Sequence, residues 1–139
     1  MSNSNTQFSI AVHMLVGMAK HGKVSSAVLA ETVNANPIFL KRILAKLSNA
    51  GLISTVSGRN GGCMLSRQPE KISLLDVYKA VEAPKAFAIH RYVKNNSCAI
   101  SSNIQGVLAG VLTKVQISQE EILSSKSILD MSNEVTRKE

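Results

Sequence analysis

The sequence predicts a mainly α-helical protein with one small β-hairpin. Three observations carry that reading. Apolar residues recur at helical spacing around residues 8–19, 40–47 and 104–115. A glycine-rich loop, Ser57–Gly62, separates two short stretches of strand character. Between Glu31 and Glu70 lie five basic residues, Lys41, Arg42, Lys46, Arg59 and Arg67, and no acidic one. A helix, a turn, a second helix and a hairpin, the second helix and the hairpin carrying basic charge alone, describe a winged helix-turn-helix. A long C-terminal helix follows it.

Residues 1–6 are expected to fray. Phe8, Ala11, Val12, Leu15, Met18 and Ala19 then trace one face of a first helix, which ends near His21-Gly22. Val24 is a candidate bridging strand. Ser25 is a plausible N-cap for a second helix over Ser26–Thr32. Val33-Asn34-Ala35 makes the turn. Asn36 caps a third helix with Pro37 at its first position, where the missing N–H costs nothing. Leu40, Ile43, Leu44 and Leu47 are its buried stripe, and Asn49-Ala50-Gly51 closes it.

Leu52–Val56 and Cys63–Ser66 are the expected hairpin strands, and Pro69 ends the pair. Ser73 caps a helix to about Val81, with Asp76 in its first turn, and Pro84 stops it. Residues 85–100 are ambiguous, with Ala86–Val93 a candidate helix. A strong helical period runs from about Ser102 to Val115. Ser118-Gln119-Glu120-Glu121 has the pattern of a capping box that opens a last short helix, and the tail from Ser132 is expected to be loose. The expected division is a winged helix-turn-helix DNA-binding domain over 1–83. Residues 84–139 then hold a linker, the long helix and a short C-terminal helix.

The chain has 139 residues, 45% of them apolar, enough for a packed core. The net charge is +7. Residues 1–97 carry 12 Lys and Arg against 4 Asp and Glu, whereas residues 98–139 carry 4 against 5. The basic charge thus sits with the helix-turn-helix, where it would attract a polyanion and release its counterions. No apolar run approaches the ~18 residues a membrane span needs. The polar start MSNSNTQFS has no signal-peptide core. A cytoplasmic protein is expected, and Cys63 and Cys98 do not make a secreted disulfide framework.

At about 100° per residue, the stripe of the third helix turns Ile38, Arg42, Ala45 and Asn49 outward, with Lys41 and Lys46 flanking. Asn36 and Ile38 are placed to meet base edges, and Arg42 a guanine or a phosphate. Lys41 and Lys46 suit phosphates, which position without specifying. Arg59, presented by glycines, suits a narrow minor groove. Ser25, Ser26, Pro37, Ser57 and Asn60 complete the candidate DNA-binding set. A winged-helix protein-interaction module without specific DNA binding is the alternative, and the unbroken basic charge counts against it.

His13, His21 and His90 are scattered, with no metal-ligand spacing. No nucleophile elbow, phosphate loop or carboxylate pair is present, so the chain does not read as an enzyme. No cofactor is expected, and no effector can be named.

The combined motif is similar to that of the Rrf-type winged helix-turn-helix transcription regulators, the family of IscR, NsrR and CymR. The matching pieces are Leu40-Lys41-Arg42-Ile43-Leu44-Ala45-Lys46-Leu47, Ala50-Gly51-Leu52-Ile53, the wing Gly58–Gly62, and Ile72-Ser73-Leu74-Leu75-Asp76-Val77. The resemblance covers residues 7–83. It implies a homodimer, joined through its long C-terminal helix and bound to a roughly two-fold symmetric operator; a repressor is the expected role. Independently, Ile104, Val107, Leu108, Val111, Leu112 and Val115 make that helix apolar on more than one face, and Gly106 and Gly110 would permit close approach of a partner. Packing on its own domain is the competing explanation.

The chain also departs from the family. Its cluster-binding members carry three closely spaced cysteines, and only Cys98 lies in that region, so the resemblance is to a clusterless member. Cys63 stands where an aromatic residue is usual and is expected to face the core. Cys98, in a polar loop near Lys94, is a candidate redox residue, against the plainer reading of a half-buried inert thiol.

Overall fold

The computed structural model describes residues 4–139. The fraying expected for residues 1–6 lies partly outside that range. Helix α1 spans Ser4–His21, α2 Ser26–Val33 and α3 Pro37–Asn49. Strands β1 (Ile53–Val56) and β2 (Gly62–Leu65) form an antiparallel hairpin, with Ile53 opposite Leu65 and Val56 opposite Gly62. A 3-10 turn at Pro69–Lys71 leads into α4 (Leu74–Ala80), followed by α5 (Ala99–Ser124) and α6 (Ile128–Arg137). The architecture is a winged helix-turn-helix with a long helix after it.

The chain divides into two compact units, one of residues up to Ala83 together with Leu123–Glu139, the other Pro84–Ile122. In the first, Met14 and Leu15 of α1 and Ile43 and Leu47 of α3 are buried with Leu52, Ile72, Val77, Val81 and Ile128. Burying each such side chain contributes roughly 1.5–3 kcal/mol. Phe8 and Tyr78 meet edge to face at 6.3 Å, joining α1 to α4. Ser73 and Asp76 form a reciprocal capping box at the start of α4.

Helix α6 packs in this first unit, whereas a division at residue 84 groups it with the long helix. Ile128 is wholly buried and Met131 packs on the core. The Ile128 amide donates to Ile72 O at 2.8 Å, and the Leu74 amide donates to Lys126 O at 2.8 Å. Its capping box is Ser127 with Asp130, rather than Ser118 with Glu121. Residues 118–121 instead lie inside α5, because no proline or glycine interrupts the helix after Gly110. Glu120 Oε2 accepts a bond from Gln116 Nε2 at 3.0 Å, an i,i+4 pair that supports an unbroken helix. The tail expected to be loose from Ser132 is helical to Arg137, and Ser132 is itself buried.

In the second unit the helix expected at 86–93 does not form. The segment runs beside α5, whose side chains and backbone bind it. Ala86 N donates to Gln116 Oε1 at 3.4 Å, Gln105 Nε2 donates to His90 O at 3.0 Å, and the Tyr92 hydroxyl donates to Ser101 O. The His90 and Tyr92 rings stack at 4.8 Å. These bonds to α5 are made by a segment that is neither helix nor strand. No helix among the described residues is long and apolar enough to cross a membrane.

Candidate nucleic-acid interface

The surface is built from three turns of chain. Ser25 Oγ accepts from the Val28 amide at 3.2 Å and caps α2. Asn34, at φ 53°, takes the left-handed conformation that ends α2, a conformation asparagine adopts more readily than most residues. Asn36 Oδ1 then accepts from the Ile38 and Phe39 amides at 2.8 and 3.4 Å, with Pro37 opening α3. Its oxygen is thereby committed to capping, so the amide nitrogen is the group Asn36 can offer to a base.

Leu40, Ile43, Leu44 and Leu47 bury the inner face of α3. Ile38, Lys41, Arg42, Ala45 and Asn49 are exposed on the other side. Ile38 is 67% exposed, a large aliphatic side chain held out of the core at the helix N-terminus. Asn36, Ile38, Phe39 and Arg42 frame a hollow there of about 440 Å³.

The wing is fixed by its glycines and by a bridge. Gly58 has φ +102°, and a Cβ at Gly61 would stand 2.1 Å from Val56 O. Only glycine fits that second position. Val24 pairs with Cys63, which ties the wing to the residue before Ser25. Cys63 is buried, as its alternation with Leu65 predicts, and burial pushes its thiol pKa up.

This construction brings α2, α3 and the wing around one hollow of about 720 Å³. Ser25, Ser26, Lys41, Ser57 and Arg59 all line it. Asn60 is exposed on the wing and lines neither hollow. Ser48 and Thr55, absent from the sequence-derived set, also line the larger one. Their signal was positional. Ser48 lies seven residues after Lys41 on α3, and Thr55 lies two before Ser57 on the strand leading to the wing.

Lys46 does not join this surface. It is half-buried, and Nζ donates to Gln7 Oε1 at 2.9 Å and to Val81 O at 3.4 Å. Its place on α3 faces α1 and the end of α4, and these two bonds hold its ammonium there. Arg67 likewise turns to the body, 3.9 Å from Asp76 and 3.5 Å from Ala50 O.

In the second unit, Ile104, Val107, Leu108, Val111 and Val115 are exposed, and among the described residues no residue of α5 is buried. Leu112 is half-buried and, with Val115, lines a hollow against residues 84–89. Added Cβ atoms at Gly106 and Gly110 would meet nothing within 4 Å. Cys98 is half-buried, and its Sγ accepts from the Ser101 amide at 3.5 Å.

The sequence profile of the family described as "Rrf2: Iron-dependent Transcriptional regulator" matches residues 4–134. The protein YwnA of Bacillus subtilis (strain 168), which carries an HTH-type transcriptional regulator name, is 34% identical over 130 residues, spanning 93% of this chain and 96% of that one. The HTH-type transcriptional regulator NsrR of Shouchella clausii (strain KSM-K16) is 26% identical over 129 residues, 92% of this chain and 85% of that one. Among solved structures, T. potens IscR superposes with a TM-score of 0.70 at 25% identity, covering 97% of this chain and 87% of that one. The iron named in the family's description does not fit this chain's donors as a cluster held by three cysteines of one subunit. Its thiols are the buried Cys63 and the half-buried Cys98, and no group of three or more His, Cys, Asp or Glu among the described residues could hold a metal ion. With its match along almost the whole chain and its winged helix-turn-helix fold, this chain belongs to the Rrf2 family of transcriptional regulators and is not an enzyme.

Proposed function

We propose that the protein is a cytoplasmic, homodimeric, sequence-specific DNA-binding repressor acting on a pseudo-palindromic operator. The observation that carries this reading is the hollow where Ser25, Ser26, Lys41, Ser57 and Arg59 converge from α2, α3 and the wing. Helix α3 offers its N-terminal end, with Ile38 and Arg42, to the major groove. A branched aliphatic side chain suits a thymine methyl, and a guanidinium suits guanine. Arg59 extends from the wing toward a minor groove, and Lys41 meets the phosphates between them.

The exposed stripe of α5, Ile104, Val107, Leu108 and Val111, supports dimerisation, since soluble chains seldom leave such a stripe in water. Two reading heads related by a two-fold axis require half-sites about one helical turn apart, or a multiple of it. Repression by occupancy needs nothing beyond this DNA-holding surface.

Selection of bound fragments from genomic DNA by the purified protein tests the reading. Enrichment of an inverted repeat with that spacing is expected. Recovery of fragments with no shared sequence would instead favour a protein-interaction module.

A further inference from the structure

We propose that the cleft between α1, α2 and α6 binds a small amphipathic acid, a molecule with an apolar body and one carboxylate. The cleft has a volume of about 620 Å³, room for a ligand of modest size. Its walls are aliphatic: Val12 and Val16 from α1, Val28 and Leu29 from α2, Met131 from α6. His13, Lys20 and His21 lie on one side of it, the α1 side, so an apolar chamber opens beside basic groups.

Two further observations point to a ligand. The Lys20 ammonium is paired with a carboxylate supplied by the chain itself, that of Glu139. Lys20, with a smaller contribution from His21, holds the Glu139 carboxyl below its ordinary range. Lys20, which lines the cleft, thus already holds an acid group, although Glu139 itself does not line it, and an incoming carboxylate would exchange with Glu139. The second observation is Gly17, which lines the cleft in the interior of α1. Glycine there weakens a helix relative to alanine. A Cβ at Gly17 would meet nothing within 4 Å, so close packing does not require the glycine. What it preserves is open space in the cleft.

The cleft also touches the reading head. Val28 and Leu29 lie one helical turn after Ser25 and Ser26, which line the DNA-facing hollow. A ligand that fits one position of α2 better than another must shift operator affinity, and DNA must shift ligand affinity by the same factor. This regulatory consequence rests on the DNA-binding reading, whereas ligand binding does not.

Calorimetric titration of the full chain with octanoate below its micellar range, without DNA, tests the site. Saturable binding of one octanoate per chain is expected. Gly17→Leu, which fills the cleft while favouring the helix, should weaken it at least tenfold. Lys20→Met should weaken octanoate severalfold and leave octanol unaffected, while circular dichroism reports both variants folded. Absence of saturable binding, or equal binding by Gly17→Leu, would overturn the proposal. So would sedimentation showing that Gly17→Leu splits a dimer of a chain that binds no octanoate, because the cleft would then be a contact between copies. Octanoate binding by a chain that selects no DNA would leave the site standing and remove only the regulatory role.

Discussion

Val24 and Cys63 exchange both of their backbone hydrogen bonds: Val24 N donates to Cys63 O at 2.9 Å, and Cys63 N donates to Val24 O at 2.7 Å. The bridge joins β2 to the residue before the α2 cap. It thus sets the distance between Arg59 on the wing and the Ser25 end of the helix-turn-helix. Gly62 makes it possible, since a Cβ there would lie 2.8 Å from Val24 O. Gly62→Ala should therefore cost about 1–3 kcal/mol in urea unfolding. It should also weaken DNA binding although it removes no charge, and anisotropy on a selected fragment checks the second effect.

Lys41 and Lys46 lie on one helix but should behave differently. Lys41→Ala should lower the slope of log K against log salt by about 0.9, the signature of one lost phosphate contact. Lys46→Met should leave that slope unchanged. It should lower stability by roughly 1–2 kcal/mol, because Gln7 Oε1 and Val81 O lose their donor. Salt titrations and urea melts of the two variants separate the roles.

Much of the winged helix-turn-helix was legible because local rules and packing agree there. Asn36-Pro37 marks the start of α3, the Leu40–Leu47 stripe fixes its inner face, and the Ser57–Gly62 loop gives the wing. The bonds of Lys46 to Gln7 and Val81 are not legible, because angular position on a helix does not reveal which neighbour stands opposite. The non-helical course of residues 86–93 is not legible locally, because their partners, Gln105 and Gln116, lie 15 and 30 residues away in sequence. The Ser118 capping pattern failed for a related reason. A capping box acts only where the preceding turn is broken, and nothing breaks α5 before Ser118. The pattern Ser127…Asp130 follows such a break and does cap.

The two thiols should differ in reactivity by burial alone. Cys63 lies in the sheet with its thiol pKa pushed up by desolvation, whereas Cys98 is half-buried near the start of α5. Brief iodoacetamide treatment of the folded protein should alkylate Cys98 first and leave Cys63 intact until unfolding. Peptide mass spectrometry measures the order.

Asp130 links the α6 cap to pH. The Ser127 backbone amide, and then its hydroxyl, hold the Asp130 carboxyl below the ordinary aspartate range, with a smaller contribution from Lys126. A carboxyl whose pKa is lower folded than unfolded stabilises the fold above the unfolded value. That contribution is lost as pH falls through the folded one, here on the acid side of about pH 4. Asp130→Asn should make the thermal midpoint fall less steeply between about pH 5 and pH 2.

The most direct test of the DNA-reading surface is the anisotropy of a selected operator fragment with Arg59→Ala beside the unaltered protein. The wing reading predicts at least about tenfold weaker binding, the ~1.4 kcal/mol within reach of one well-placed arginine. It also predicts a smaller salt slope, with the thermal midpoint unchanged. Arg59→Ala binding as tightly as the unaltered protein, with the same salt slope, would contradict it.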